Sequence, residues 1–323
     1  MYIIVQIPCL DEESSIASVI KGVPREIAGA ERVEVLVVDD GSSDRSAEEA
    51  RQAGADHVVR FAGNRGLSKA FEAGMDASLR LGADVIVNID ADGQYKGEDI
   101  PRLAVPILNG EADVVVGDRG IKADPDYPGF KKILQVAGSS TVRTLSGTEV
   151  RDASSGFRAY SREAALRLNL VSDFTYTLES LIQAGKDRLK VKSVKVETNP
   201  VHRPSRLFKS VSEYMTRSAS TLVRIYSMYE PLKVFSALGT VIFTTGLGIG
   251  VWFIYYYVTE GGKGHVQILI LSAVLLIIGF QVLVMALVAD LIGSNRKLLG
   301  DLLFRLKRLE RSVKPEKPDA HGK

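Results

Sequence analysis

The chain has 323 residues, and its 41 lysines and arginines nearly balance its 39 aspartates and glutamates. This balance argues against a nucleic-acid-binding surface, and the length predicts two domains, or one domain with an appendage. The single cysteine, Cys9, lies in an apolar run, which excludes a disulfide framework and fits a reducing compartment for the soluble part. The N-terminus lacks the basic region of a signal peptide and begins directly with strand-like residues.

The first two predicted strands each run into acidic residues. Ile3–Ile7 leads through Pro8 to Asp11–Glu12–Glu13, and Val33–Val38 leads to Asp39–Asp40 and a glycine turn. In open α/β sheets, ligands bind at the carboxyl ends of the strands, so these side chains can reach the base or ribose of a nucleotide. The alternative is that the acidic residues after the first strand are ordinary first-turn residues, which the helix dipole favours there.

A third predicted strand, roughly His57–Phe61, leads to Asn64–Arg65–Gly66 and Lys69. Gly66 permits close approach of the backbone to a ligand, while Arg65 and Lys69 could meet phosphates at a helix N-terminus. A solvated arginine and lysine on the helix surface is the other interpretation.

The fourth predicted strand carries the strongest candidate site. Val85–Ile89 is a short, apolar, β-branched run that delivers Asp90 and Asp92 to its carboxyl end, followed by Gly93–Gln94. Mg²⁺ and Mn²⁺ prefer oxygen ligands and are held by one or two carboxylates together with substrate phosphates. The pattern favours a metal–phosphate site over a solvated turn because of its context, since Asp124–Pro125–Asp126 repeats the same spacing in a predicted loop.

The following elements complete a repeated strand–helix pattern. A helix at about Asp99–Asn109 and a strand at Asp113–Gly117 lead to Asp118–Arg119–Gly120. Such repeats predict a parallel or mostly parallel sheet wound with helices, and the sequence has neither a dinucleotide-binding nor a P-loop fingerprint. The long basic segment Ile121–Gly147 is typical of a lid or binding loop, and Lys190–Glu197 alternates like an edge strand.

Two apolar runs near the C-terminus predict a membrane hairpin. Val234–Val258 and Val266–Ala289 contain no charged residue, and each can cross a ~30 Å hydrocarbon core as a helix. Basic residues flank the outer ends of the pair, whereas the short connecting loop has one lysine, Lys263, so the positive-inside rule places the large domain and the tail in the cytoplasm. A buried helical hairpin in a soluble protein is the alternative.

These patterns divide the chain into four parts. Residues 1–206 form a cytoplasmic domain, 207–230 a basic amphipathic helix in the membrane interface, 231–291 the hairpin, and 292–323 an amphipathic tail with a disordered end. The second part could instead be a helix packed on the large domain. The leucine-rich tail points to a homo-oligomer.

Ordered motifs along the large domain carry a resemblance to a known family. They are Pro8 with Asp11–Glu12–Glu13, Asp39–Asp40–Gly41–Ser42–Ser43–Asp44, Asn64–Arg65–Gly66, Asp90–Ala91–Asp92–Gly93–Gln94, Gly117–Asp118–Arg119 and Asp152–Ala153–Ser154–Ser155–Gly156–Phe157–Arg158. Residues 2–206 closely resemble the family 2 glycosyltransferases, and within them the polyprenol-phosphate sugar synthases of the dolichol-phosphate mannose synthase group. The amphipathic helix and the hairpin resemble the membrane-anchored branch that includes polyprenol-phosphate glucosyltransferases.

The resemblance implies an α/β GT-A fold, with a Rossmann-like mostly parallel sheet, and a role for each matching position. Asp90, Asp92 and Gln94 would hold Mg²⁺ or Mn²⁺ on the diphosphate of a nucleotide sugar. Basic residues would receive the lipid phosphate or close over the diphosphate, namely Arg119, Lys131 or Lys132, Arg203 and Arg206. The nucleotide pocket would be lined by Pro8, Asp11, Glu12 and Asp40, and we expect Lys69 and Asp90 to share it.

The chain departs from the family pattern at three of these places. The family usually has asparagine at the position of Asp11, serine at that of Asp118, and an arginine in the acceptor loop where this chain has Lys131–Lys132. The last departure leaves open which basic residue binds the acceptor.

The implied reaction is transfer of a hexose from a GDP-mannose-type or UDP-glucose-type donor to the phosphate of a polyprenyl or dolichyl phosphate. The acceptor phosphate is already anionic, so it can attack the anomeric carbon without a base, and the reaction inverts that carbon. Asp92 and Arg119 would stabilise the departing diphosphate. The first alternative is a hydroxyl acceptor, such as a glycolipid or polysaccharide, with Asp152 as general base. The second is a membrane protein that binds nucleotide sugars without turnover.

Overall fold

The computed structural model describes residues 1–120, 138–144, 146–170, 176–199, 220, 224, 227–261 and 265–312. The chain falls into two compact units. One contains Met1–Met215 and Leu303–Lys323, and the other contains Thr216–Leu302.

The larger unit alternates strands and helices in its first half. The elements are β1 (Tyr2–Cys9), α1 (Ile16–Lys21), β2 (Arg32–Asp39), α2 (Ser46–Gln52), β3 (His57–Arg60), α3 (Leu67–Leu81), β4 (Val85–Asn88), α4 (Ile100–Leu108) and β5 (Val114–Asp118). A helical stretch at 138–144 precedes β6 (Arg158–Ser161), α5 (Arg162–Arg167), α6 (Tyr176–Lys186) and β7 (Val191–Lys195).

The strands form one 7-stranded sheet in the order β3-β2-β1-β4-β6-β5-β7. Every neighbouring pair is parallel except the two made by β6, which runs antiparallel to both β4 and β5. The prediction of a mostly parallel sheet is confirmed, and β7 is an edge strand as expected. The sequence did not predict β6, which lies between β4 and β5 in the sheet.

Helices cover both faces of the central strands, which is why β1, β2 and β4 are largely apolar. Ile3, Val5 and Ile7 of β1 face α1 and α4 and form one core with Ile16 and Leu103. The alternate residues face α3, where Gly74 packs closely against Gln6 and Val38. A parallel sheet buried on both sides has this composition because no strand face meets water.

The smaller unit is built on two long helices. These are α7 (Pro231–Glu260) and α8 (Val266–Ser312), whose residues from Leu303 onward belong to the larger unit. Both helices are long and apolar enough to cross a membrane by length and composition. Their close contact depends on small residues, since a Cβ on Gly279 would lie 2.6 Å from the Phe243 backbone nitrogen. The Ser272 Oγ donates to the Gly246 carbonyl at 2.8 Å, which links the helices by a hydrogen bond as well.

Helix α8 is longer than the predicted membrane span. Its 47 residues extend roughly 70 Å, so the apolar run Val266–Ala289 and the leucine-rich tail are one continuous helix.

Candidate active site

The candidate site lies at one edge of the sheet. The carboxyl ends of β1, β2, β4 and β5 meet there, and so does the amino end of β6, because β6 runs the opposite way. This topology brings together motifs that are far apart in sequence. The segments after Cys9, Asp39, Asn88 and Asp118 therefore share this edge with the segment before Arg158.

The loops after β1 and β2 are held to each other by Asp11. Its Oδ1 accepts hydrogen bonds from the Ser43 backbone nitrogen at 2.8 Å and the Ser43 hydroxyl at 3.0 Å. Asp11 has a φ of 52°, a left-handed conformation that asparagine and aspartate tolerate better than most residues. The backbone nitrogen of Glu12, whose side chain is buried, donates to the Ser46 hydroxyl at 2.7 Å.

Asp40 and Pro8 are both buried at this edge. The two carboxylate oxygens of Asp40 accept from the backbone nitrogens of Arg65 at 2.7 Å and Gly66 at 2.9 Å. Asp40 therefore fixes the loop that precedes α3. Pro8 pairs with Val38 within the sheet and lies one residue before the end of β1 at this edge.

Lys69 lies on the exposed side of the first turn of α3, where it forms an ion pair with Glu72 at 3.0 Å. Arg65, in the preceding loop, packs its guanidinium over the Phe61 ring at 5.1 Å. Both residues therefore have a partner on the protein's own surface.

Asp90 and Asp92 follow β4 and have different surroundings. Asp92 is exposed, and its Oδ1 accepts from the Gln94 backbone nitrogen at 3.0 Å, which closes the turn. The Asp90 carboxylate is partly buried and lies against Gly156. The pKa of Asp90 is raised to about 7, chiefly by burial and then by the charge of Asp92, while Arg119 and Arg158 oppose the rise.

The residues at this turn fit a hard divalent cation that is shared with a substrate diphosphate. No group of three or more His, Cys, Asp or Glu side chains that could hold a metal occurs among the residues that the structure describes. The protein thus offers two carboxylates, with the Gln94 amide next in sequence, rather than a complete cage of ligands. Mg²⁺ sites that use substrate phosphates have this composition, and a cation would offset the repulsion between the two carboxylates.

Arg119 and Asp152 form a bidentate ion pair beside the acidic turn. The Arg119 Nε donates to Asp152 Oδ2 at 2.7 Å, and its Nη2 donates to Asp152 Oδ1 at 3.0 Å and to the Ser154 hydroxyl at 2.8 Å. The side chains are 14% and 4% exposed. Both oxygens of Asp152 accept from Arg119, so this carboxylate is already engaged by a guanidinium.

The sequence did not reveal the buried polar groups behind Asp90. The Asn88 Nδ2 donates to the Gly156 carbonyl at 2.8 Å and to the Tyr176 hydroxyl at 3.1 Å, and its Oδ1 accepts from Gln6 at 2.9 Å. Gln6 and Asn88 are register partners in neighbouring strands. Two carboxamides within otherwise apolar strands are the signal that would have identified them.

Arg158, which begins β6, is also fully buried in this region. It donates hydrogen bonds to the carbonyls of Ala153, Ser155 and Thr177 and to the Ser180 hydroxyl, at 2.7–2.9 Å. These contacts fix the segment that carries Asp152 to the start of α6. The other predicted site residues, Lys131, Lys132, Arg203 and Arg206, lie outside the described residues.

Comparison with known proteins defines the class of protein. The family model described as glycosyl transferase family 2 matches residues 4–168, and the chain belongs to this family. The protein is therefore a glycosyltransferase. A second model, the GtrB C-terminal hairpin, matches residues 230–294, which include α7 and most of the apolar part of α8.

Two of the similar curated proteins have names that refer to polyprenol or dolichyl phosphate. The chain is 34% identical over 146 residues to a polyprenol monophosphomannose synthase of Mycolicibacterium smegmatis, covering 43% of this chain and 55% of the relative. It is 30% identical over 217 residues to the UDP-N-acetylglucosamine–dolichyl-phosphate N-acetylglucosaminyltransferase of Methanococcus voltae, covering 59% and 83%. It is 29% identical to glycosyltransferase AglJ of Haloferax volcanii, covering 85% and 89%.

A solved structure shares the fold. Glucosyl-3-phosphoglycerate synthase from Mycobacterium tuberculosis, in complex with Mn²⁺, uridine diphosphate and glucosyl-3-phosphoglycerate, superposes with a TM-score of 0.54 and 26% identity. The match covers 70% of this chain and 78% of that one. The expected GT-A architecture is confirmed.

Proposed function

We propose that the protein transfers a hexose from a nucleotide sugar to the phosphate of a polyprenyl or dolichyl phosphate, with inversion at the anomeric carbon. The observation that carries the proposal is the Arg119–Asp152 pair. It places a guanidinium beside the acidic turn and engages the carboxylate that a hydroxyl acceptor would need as its base. An acceptor that is already anionic fits this arrangement. The names of the relatives point to the same acceptor class.

In the proposed reaction, an oxygen of the lipid phosphate attacks the anomeric carbon from the face opposite the leaving group. The bond from that carbon to the nucleoside diphosphate breaks, its electron pair goes to the diphosphate oxygen, and no proton needs to move. A bound Mg²⁺ or Mn²⁺ would supply positive charge for the leaving diphosphate, and Asp90, Asp92 and Gln94 would hold it. Arg119 would orient the reacting phosphates and stabilise the charge that develops on them.

The remaining predicted roles stay part of the proposal. Asp11, Glu12 and Asp40 shape the edge where the nucleotide would bind, with Pro8 beneath and Lys69 at the start of α3. Lys131 or Lys132 would bind the lipid phosphate, and Arg203 and Arg206 would close over it or over the diphosphate. The helix expected at 207–230 would set the height of the active site above the bilayer.

The orientation in the membrane follows from the charges of the hairpin. Helices α7 and α8 are antiparallel, so their outer ends meet, and the Arg296 guanidinium lies over the Tyr229 ring at 4.9 Å. Lys233, Arg296 and Lys297 are therefore at one end of the hairpin, where the positive-inside rule favours the cytoplasm. We propose that both the catalytic domain and the tail lie on that side.

We also infer that the tail of α8 pairs in parallel with α8 of a second copy. Apolar residues follow a heptad pattern at Ile292, Leu299, Leu302, Leu306 and Leu309, and all five are exposed by 60–65%. Leu309 lies roughly 28 Å along the helix beyond Asp290, too far for the bilayer core to cover it. In a parallel pair, Arg305 of one copy falls beside Glu310 of the other, so the flanking charges are complementary.

The experiment that tests the function uses purified protein and a panel of radiolabelled UDP- and GDP-sugars. Polyprenyl phosphate is the acceptor, with Mn²⁺ or Mg²⁺ and a matched sample containing EDTA. Label that enters the organic phase only with both the metal and the lipid phosphate supports the proposal and names the donor. Label that reaches only a hydroxyl acceptor, or donor binding without transfer, would contradict it.

A further inference from the structure

Asp90, Gly156 and Tyr176 meet in one small space behind the acidic turn. A Cβ atom on Gly156 would lie 2.7 and 2.9 Å from the two Asp90 carboxylate oxygens and 2.9 Å from the Tyr176 hydroxyl. The carboxylate and the hydroxyl therefore border the same point, and only a residue without a side chain leaves that point open.

The hydrogen bonding of Tyr176 determines what its hydroxyl can offer. The Asn88 Nδ2 donates to the Tyr176 oxygen at 3.1 Å, so the hydroxyl hydrogen must point elsewhere. Among the residues that the structure describes, the Tyr176 hydroxyl donates to no acceptor, and the Asp90 carboxylate borders the same space. Asn88 is itself fixed by the Gly156 carbonyl and by Gln6.

The ring of Tyr176 is held rigidly. It is buried, and it stacks on Phe71 with ring centroids 4.1 Å apart and an interplanar angle of 15°. Tyr160 contacts the same Phe71 ring edge-on at 5.8 Å. Within the described part of the chain, the buried Tyr160 hydroxyl has no hydrogen-bond partner, so the two tyrosines share a core environment but differ in what their hydroxyls contact.

We infer that Tyr176 is a positioning residue that sets the orientation of the Asp90 carboxylate. The inference rests on the proposed metal–diphosphate role of Asp90. A hydrogen bond from the Tyr176 hydroxyl to one Asp90 oxygen would fix the carboxylate and leave its other oxygen for a cation. Partners behind the ligands of a metal commonly change metal affinity by about 10–100-fold.

The test compares Tyr176→Phe with Tyr160→Phe in the full-length protein. Each variant removes one buried hydroxyl from a ring that packs on Phe71. The first readout is Mn²⁺ binding without turnover, measured as free Mn²⁺ by electron paramagnetic resonance in the presence of UDP or GDP. We expect Tyr176→Phe to weaken Mn²⁺ binding about 10-fold and Tyr160→Phe to leave it unchanged. The metal concentration for half-maximal transfer should rise by the same factor.

A thermal melt of each variant separates positioning from folding. A purely structural role would lower the melting temperature of Tyr176→Phe without changing the Mn²⁺ affinity of the folded protein, and that result would overturn the inference. If Tyr176→Phe fails to fold, the same measurement is made on Gly156→Ala, which places a Cβ atom in the same space. The inference then requires that Gly156→Ala weaken Mn²⁺ binding. If the wild type binds Mn²⁺ with the nucleotide but transfers no sugar, the proposed function fails and the Tyr176 inference survives.

Discussion

Asp92 is the residue whose exposure and position make it the most direct probe of the acidic turn. Asp92→Asn keeps the shape of the side chain and its bond to the Gln94 backbone, but it removes the negative charge. We expect kcat to fall about 100-fold or more, since the site would lose charge stabilisation in the transition state. Sugar transfer at saturating Mn²⁺ measures the effect.

The chain supplies a matched control for this variant. Asp76 is a partly exposed acid on α3 that pairs with Arg80, and Asp76→Asn should leave kcat within about 3-fold of the wild type. Equal losses in both variants would contradict the assignment of the metal site to Asp90 and Asp92.

Glu34 predicts a pH dependence of stability at the opposite edge of the sheet. Burial alone would raise its pKa, but hydrogen bonds from Tyr2, His57 and Arg32 outweigh burial and lower the pKa below 4.5. The ionised carboxylate therefore stabilises the fold above the pKa of the unfolded chain, and this contribution disappears as the pH falls through the lower folded value.

Glu34→Gln tests that contribution. At pH 7 we expect the melting temperature to fall by an amount equivalent to about 2 kcal/mol, with the difference from the wild type closing as the pH drops below about 4. Glu31→Gln is the control, because Glu31 is 89% exposed in its pair with the N-terminus. A Glu34→Gln difference that persisted unchanged at low pH would show that packing, and not charge, is responsible.

At the scale of elements, the strands that depend mainly on local sequence were predictable from local sequence patterns. The parallel strands β1, β2, β4 and β5 are short β-branched runs, and periodicity alone indicates them. Strand β6 was not predicted, because its four residues begin with a buried arginine and pair with distant strands on both sides. Its existence depends on tertiary contacts of Arg158, which no local pattern records.

The acidic groups of the site were predictable for the same reason, since each follows a recognisable strand. The groups behind them were not, because Asn88, Gly156 and Tyr176 come from three separate elements and acquire a role only when the sheet assembles. The Arg119–Asp152 pair likewise joins residues 33 positions apart. Sequence reasoning placed both residues in the site and could not show that they bind each other.

The hairpin offers a prediction about helix packing. Gly279→Ala would put a Cβ 2.6 Å from the Phe243 backbone nitrogen, so the helices must separate locally. We expect a loss of about 1–3 kcal/mol in the stability of the hairpin, seen as a lower melting temperature in detergent. Gly248→Ala is the control, since nothing lies within 4 Å of the added carbon. A similar melting temperature for both variants would contradict close packing at Gly279.

At the scale of the whole molecule, the heptad pattern predicts self-association through the tail of α8. Leu306→Asp should reduce the assembled fraction in light scattering of the detergent-solubilised protein, because it places a charge in the apolar seam. Arg305→Glu and Glu310→Arg should each weaken assembly by like-charge contacts, and the double variant should restore it. A double variant no better than the singles would exclude the parallel register, and a monomeric wild type would exclude the pairing.

The most direct test of the account concerns the nucleophile. If a lipid phosphate oxygen attacks the sugar, polyprenyl phosphate and polyprenol are the decisive pair of acceptors. We would measure label transfer from the preferred nucleotide sugar to each, in the same vesicles and with Mn²⁺ present, and recover the product intact. The account predicts product with polyprenyl phosphate only, and mild acid should release the sugar and return polyprenyl phosphate. Comparable transfer to polyprenol would mean that a hydroxyl is the acceptor, and Asp152 would then be the candidate base.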